Sequence, residues 1–295
     1  MEKPVRYRSP DEDSGRWLDF PRRSGDIIIS TRSKSGTTWV QMICALLIFQ
    51  TVDLPRPLWE LSPWLDWLGM PTGELFEQLS AQTHRRFMKT HTPLDGLPFD
   101  ERVTYIVVGR HPLDLAVSLY HQGDNLDRDV IARVTGQQPS DDEPSARAPL
   151  REWLLDWIDS HASPHEQLDG LAGVMSHLSD AWSRREQHNV VLVHYHDLTV
   201  DLAGQMRRLA ERLEIIVSDA TWPALVQAAA FKEMRARANQ TAPDPVGVLK
   251  DKTAFFRRGS SGAAREVLSP NELARYYSRV ADMAPPELLA WLHRP

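Results

Sequence analysis

Residues 26–39 restrict the possible folds more than any other stretch of the chain. Asp26-Ile27-Ile28-Ile29-Ser30 is a short apolar run after Gly25, the pattern of a strand buried on both faces of a parallel sheet. Thr38 to Phe49 then places Trp39, Met42, Ile43, Leu46 and Leu47 at helical spacing. Between strand and helix lies Ser33-Lys34-Ser35-Gly36-Thr37-Thr38-Trp39. The N–H groups at a helix start point outward and carry partial positive charge, so they suit an oxyanion. Gly36 lets the backbone approach a ligand, Lys34 adds a full charge, and Thr37 and Thr38 add hydroxyl donors. A plain polar turn capped by Thr37 is the bland alternative, and the combination of strand, glycine, lysine and paired threonines argues against it. A Walker A loop is excluded, because there the lysine follows the second glycine, whereas Lys34 precedes the only one.

Further strands are expected at Phe87–Thr90, Val103–Val108 and Val190–His194. A helix beginning at Pro112 runs through Ala116, Val117 and Tyr120, and another covers about Leu202 to Leu213. Strands alternating with helices predict an α/β fold, a single P-loop-like domain with a central parallel sheet flanked by helices on both faces. Neither an internal repeat nor a linker divides residues 1–295. Gln122 to Gly173 is expected to form a mobile insertion with a short helix near Trp153 and Trp157, because Gln137 to Ala148 is rich in Pro, Ser, Asp and Glu.

Composition narrows the partners. Hydrophobic residues make up 42% and charged residues 25% of the 295, enough to bury a core without staples. The single cysteine, Cys44, cannot form an internal disulfide or a cysteine metal site, which suits a reducing cytoplasm. Met1 to Trp17 is charged and lacks the apolar core of a signal peptide. The longest apolar run, Met42 to Phe49, falls far short of the ~20 residues that cross a bilayer. A net charge of −6 argues against general nucleic-acid binding, yet leaves room for a locally basic pocket.

On Lys34-Ser35-Gly36-Thr37-Thr38-Trp39 the chain resembles the cytosolic sulfotransferase family, whose 5′-phosphosulfate loop has this order. The family's Tyr-Pro before the lysine is replaced by Arg32-Ser33. Val107-Val108-Gly109-Arg110-His111-Pro112, followed by Asp114, Ala116, Val117 and Ser118, resembles its 3′-phosphate segment. The resemblance continues through Val193 to Leu198, Phe231-Lys232-Glu233-Met234 and Phe255-Phe256-Arg257-Arg258-Gly259. It implies a 3′-phosphoadenosine 5′-phosphosulfate (PAPS) co-substrate and no metal. Arg110, Ser118, Arg257, Arg258 and Gly259 would hold the 3′-phosphate, and Tyr195 and Phe231 the adenine. A guanidinium at a strand end grips phosphate bidentately, in keeping with that role for Arg110. Taken singly, Arg110 and the Arg257-Arg258 pair would be surface, and Tyr195 and Phe231 core. After the Arg-Arg-Gly the family has Gly-Asp-Trp-Lys, where this chain has Gly262-Ala263-Ala264-Arg265 and no family dimer motif.

A hydroxyl attacking sulfur must lose a proton, and neutral imidazole suits that step near pH 7. Of eleven histidines, His91 stands out in Lys89-Thr90-His91 after a short strand. The resemblance makes His91 the catalytic base, with Lys89 near the transferring group and Lys34 on the leaving phosphate. The structural alternative is a loop histidine bonded to backbone. His111 and His121 are expected to serve local structure. Trp59, Trp64 and Trp67 with Leu61, Leu65 and Leu68 form a cluster that is either core or the wall of a hydrophobic acceptor pocket. Ser62 to Asp66 and His84 to Leu97 look most like actinobacterial members, mycobacterial glycolipid sulfotransferases among them, implying a small-molecule or glycolipid acceptor. A P-loop kinase or nucleotidase, and a non-catalytic nucleotide binder motivated by Ala263 and Ala264, are the competing readings.

Overall fold

The structure, a computed structural model, describes residues 3–137 and 147–294. Four strands, β1 (Ile27–Ser30), β2 (Phe87–Thr90), β3 (Thr104–Gly109) and β4 (Val190–His194), form one sheet in the order β2-β1-β3-β4, every neighbour parallel. The register pairs Ser30 with Thr90 on one side and Val107 on the other. These strands are short and almost wholly buried because alternate side chains feed two separate cores. Ile28, Met88, Tyr105 and Val107 enter one core, and Ile27, Ile29, Phe87, Ile106 and Val108 enter the other.

The second core is closed by helix α1 (Thr37–Phe49), predominantly apolar and buried all round over Thr37–Leu47, as a helix wedged between sheet and neighbours must be. It ends at Gln50, whose left-handed backbone returns its N–H to the Leu46 carbonyl at 2.9 Å. Helix α2 (Pro112–Asn125) starts on a proline at its first turn, capped by the His111 ring accepting from the Leu113 N–H.

The segment 122–173 holds more regular structure than its composition suggested. Besides the expected tryptophan helix, α4 (Leu150–Asp159), it contains α3 (Arg128–Thr135), capped by the Asp127 carboxylate, and the first turn of α5 (Leu171–Ser183). Residues 138–146, the heart of the Pro/Ser/Asp/Glu-rich stretch, lie outside the described residues. Downstream, α6 (Leu202–Arg212), α7 (Trp222–Ala229) and α8 (Phe231–Ala236) follow in short succession.

In the order β2-β1-β3-β4, β1 leads outward to β2, and the chain then crosses back to β3. The crevice above the carboxyl ends of β1 and β3 is therefore a topological switch point, the place where open α/β sheets bind ligands. Both the loop after β1 and Arg110 after β3 open onto it.

Candidate active site

A cavity of about 990 Å³ opens above these strand ends. It is lined by every residue of the phosphate loop from Arg32 to Trp39 except Ser35, which is buried beneath it. Gly36 caps α1 with φ +114°, so the chain turns there through a conformation that only glycine takes freely. A Cβ at this position would stand 2.9 Å from the Tyr195 ring. No side chain caps the helix; the Trp39 and Val40 N–H groups donate to the Gly36 carbonyl at 3.0 and 3.2 Å, which leaves those of Thr37 and Thr38, two residues on the cavity wall, without intrahelical acceptors. The Thr37 hydroxyl is held 2.5 Å from that of Thr31.

Lys34 also adopts a left-handed backbone, φ +64°, which costs a non-glycine residue roughly 1–2 kcal/mol. Its Nζ donates to Gln122 Oε1 at 3.1 Å and sits 3.8 Å above the Phe255 ring. Burial, then Arg110, Lys89 and Arg257, lower its pKa to about 7. The site concentrates cations that only an anion can relieve.

Arg110 is 7% exposed at the end of β3. It donates to the Lys34 carbonyl at 2.9 Å, the Ser118 hydroxyl at 3.2 Å and the Ser260 carbonyl at 3.3 Å. Its guanidinium lies 4.2 Å over the Tyr195 ring. Tyr195, Phe231, Arg257, Arg258 and Gly259 join it on the cavity wall. The left-handed Gly259, φ +67°, lets the chain pass the Phe231 ring, which a Cβ would meet at 2.6 Å. Arg257 keeps a buried Nε with no partner among the described residues, whereas Arg258 is half-exposed and paired with Glu266 at 3.0 Å. Trp39 presents its ring, its indole N–H being taken by the Ala229 carbonyl at 2.8 Å.

On the opposite wall, His91 follows β2 and is 7% exposed. Its Nδ1 lies 2.5 Å from the Thr31 carbonyl oxygen. A carbonyl accepts only, so Nδ1 carries the ring proton and Nε2 keeps its lone pair. Burial, then Lys89 and Arg32, push the imidazole pKa down to about 3, so the ring is neutral at pH 7. Lys89 is buried with Nζ 4.5 Å over the Trp64 ring, and burial lowers its pKa to about 8 against the pull of Asp66 and Glu12. Buried Asp66 braces this turn by accepting from the Thr90 and Thr92 hydroxyls at 2.5 and 2.6 Å.

Several lining residues escaped the sequence reading. Arg32, 3% exposed, pairs with Asp169 at 2.8 Å and Glu12 at 3.7 Å and donates to the His91 carbonyl. It ties the loop entrance to the amino-terminal segment and to the start of α5. Gln122 and Phe255 grip Lys34 from α2 and from the segment before Arg257. The tryptophan cluster divides: Leu61 and Leu65 are core, whereas Trp59, Trp64 and Trp67 line the cavity. His111 serves as a helix cap, as expected, while His121 faces the cavity. Ala263 and Ala264 are buried in the core beside α2, with the Gly262 N–H donating to Asp114 at 2.9 Å, and do not line the cavity. Among the described residues no cluster of His, Cys, Asp or Glu is placed to hold a metal, and no helix is long and apolar enough to cross a membrane.

The sulfotransferase-domain family model matches residues 24–288. A glycolipid sulfotransferase of Mycobacterium bovis is 42% identical, covering 99% of this chain and 95% of its own. The glycolipid sulfotransferase of Mycobacterium tuberculosis is equally similar over the same shares. Sulfotransferase 1A1 of Canis lupus familiaris is 29% identical over 83% of this chain and 78% of its own. Among solved structures, a mouse sulfotransferase complexed with PAP superposes with a TM-score of 0.69 at 20% identity, covering 95% of this chain and 92% of that one. Retinol dehydratase in complex with retinol and PAP gives 0.69 at 20% identity, covering 91% and 84%. These likenesses carry the fold.

Proposed function

The chain belongs to the sulfotransferase family, and from that premise we propose how its residues carry the reaction. The enzyme transfers a sulfuryl group from PAPS to an acceptor hydroxyl. His91 Nε2 takes the acceptor proton as the oxygen attacks sulfur. The bond from sulfur to the bridging phosphate oxygen breaks, and that oxygen keeps the electron pair. Lys34 meets the charge it gains, the first-turn N–H groups of α1 hold the 5′-phosphate, and Lys89 steadies the transferring group. Arg110, Ser118, Arg257 and Arg258 hold the 3′-phosphate, and Tyr195, Phe231 and the Trp39 ring enclose the adenine. PAP, adenosine 3′,5′-bisphosphate, is what remains of PAPS after transfer, and the solved relatives bound to PAP support this donor.

One observation carries the reading: Lys34, Lys89, Arg110 and Arg257 face one cavity together with a neutral His91, and burial, followed by the three other cations, lowers Lys34 to about 7. A donor carrying a phosphosulfate and a separate 3′-phosphate relieves that crowding of cations. A glycolipid or other amphipathic alcohol is the acceptor, supported by the names of the mycobacterial relatives and by Trp59, Trp64 and Trp67 on the wall. The residues involved come from both sides of the segment 122–173, which favours one functional domain over residues 1–295. A cytoplasmic setting is supported by the free, buried Cys44.

The test pairs binding with turnover. PAP should raise the melting temperature where ATP with magnesium does not. Label from ³⁵S-PAPS should appear on an added alkyl glycoside or phenol. Stabilisation by magnesium ATP alone would favour a kinase, and PAP binding without transfer a non-catalytic relative.

A further inference from the structure

We propose that Glu12, Gln41 and Trp64 form a polar subsite of the acceptor cavity that holds a non-reacting hydroxyl, selecting polyhydroxylated rings over lone alcohols and phenols. The inference rests on the sulfotransferase reading above and deepens it.

Three side-chain atoms carry it: Glu12 Oε2, Gln41 Oε1 and Trp64 Nε1 are buried with no hydrogen-bond partner among the described residues. Glu12 and Gln41 are 7% and 2% exposed, and all three residues line the cavity. Buried polar groups almost always find partners, so three orphans on one cavity mark where a ligand supplies them.

Local contacts hold each of them in place on the cavity lining. The Gln41 amide donates from Nε2 to the Ser62 carbonyl at 2.8 Å and its hydroxyl at 2.9 Å, and the carbonyl, which only accepts, fixes which way the amide faces. Ser62 leads through Pro63 into Trp64, which pairs with Lys89 in a parallel bridge. Glu12 pairs with Trp67 in an antiparallel bridge, and its other oxygen faces Arg32 at 3.7 Å. The Trp64 ring stands edge-on to the His91 imidazole, centroids 4.7 Å apart. Trp64 therefore adjoins the proposed base, and Glu12 and Gln41 line the same cavity.

Their chemistry is that of a hydroxyl's complement. An indole N–H donates, an amide oxygen accepts, and the Glu12 carboxyl, pushed up to about 8 chiefly by burial, can donate to a hydroxyl or accept from one. A phenol or simple alcohol spends its one hydroxyl at His91 and leaves all three atoms unpaired. Sites built to bond a substrate hydroxyl discriminate strongly against analogues that lack it.

Octyl β-D-glucopyranoside and 2-naphthol serve as acceptors, with PAPS as donor and the full chain as enzyme. Glu12→Gln and Trp64→Phe are the variants, the second keeping a ring while removing the N–H. Each should lower the ratio of kcat/KM for glucoside over naphthol by about 10- to 100-fold. Loss of one ring hydroxyl from the glucoside should cost the unsubstituted enzyme a similar factor and at least one variant much less. PAP affinity verifies folding, and if Glu12→Gln does not fold, Trp64→Phe and the deoxy series decide. An unchanged ratio in both variants overturns the subsite, as does transfer to naphthol with none to the glucoside or octyl galactoside; either leaves the sulfotransferase reading standing. Transfer to none of these acceptors overturns that reading itself.

Discussion

Arg110 at the end of β3 donates to the hydroxyl of Ser118, eight residues on, at 3.2 Å, so that strand end and helix face present one donor group. Its Nε is buried and has no partner among the described residues. Two more of its five N–H groups go to the Lys34 and Ser260 carbonyls, which tie this arginine to two other segments of the cavity wall. A charge-assisted hydrogen bond contributes about 1.5–3 kcal/mol, or roughly 10- to 150-fold in affinity. Arg110→Ala should therefore weaken PAP by that factor or more and adenosine 5′-phosphosulfate, which has no 3′-phosphate, far less. Equal losses for both ligands in titration calorimetry would remove Arg110 from the 3′-phosphate.

Gly36 and Gly247 separate backbone strain from site geometry. Both have positive φ, +114° and +78°, so alanine at either costs roughly 1–2 kcal/mol of stability. Only at Gly36 does the new Cβ meet a ring, Tyr195 at 2.9 Å; at Gly247 nothing lies within 4 Å. Gly36→Ala should lower both the melting temperature and PAP affinity, the latter at least 10-fold. Gly247→Ala should lower the melting temperature alone. The comparison fails if both variants bind PAP equally well.

Donor binding should take up protons near neutral pH. In the free protein burial holds Lys89 at about 8 and, with neighbouring cations, Lys34 at about 7, so at pH 7.5 a good part of each ammonium has lost its proton. An anion beside them favours the charged forms and raises both values. Affinity is therefore greatest below about pH 7 and falls as pH rises through 7 and 8. Calorimetry of PAP in buffers of different ionisation heat should report net uptake at pH 7.5. Zero uptake would mean that neither lysine meets the phosphates.

How much of this was legible in the sequence follows from the range of each signal. β2 and β4 begin and end at the residues expected, and α1 and β3 within one, because short apolar runs and a proline or glycine at their ends are local features. The phosphate loop, Arg110 and His91 were legible through contiguous motifs. The Arg32–Asp169 and Glu12 contacts were not, since their partners lie 137 and 20 positions away and a buried arginine has no signature in sequence. The contacts of Gln122 and Phe255 with Lys34 were missed for the same reason: Phe255 lies in a motif legible in sequence, but its partner is more than 200 positions away, and nothing near Gln122 points to Lys34. Helix α3 was hidden inside a polar segment whose neighbours, 138–146, are rich in helix breakers. Ala263 and Ala264 read as losses from a site motif, and the structure instead spends them on packing beside α2.

The central claim is the division of labour between His91 and Lys34, and acceptor acidity tests it most directly. With the imidazole neutral and Nδ1 bound to the Thr31 carbonyl, Nε2 keeps the lone pair that the proposed base needs. General-base catalysis typically contributes about 10²–10⁴-fold. A phenol of low pKa arrives partly ionised and needs little of that help. The measurement is kcat against acceptor pKa for His91→Ala and Lys34→Ala. The account predicts that His91→Ala loses about 10²–10⁴-fold with an unactivated alcohol and recovers much of it with acidic phenols. Lys34→Ala should stay depressed across the series, because the leaving phosphate is the same for every acceptor. Near-normal turnover of an unactivated alcohol by His91→Ala, or parallel recovery of both variants, would contradict it.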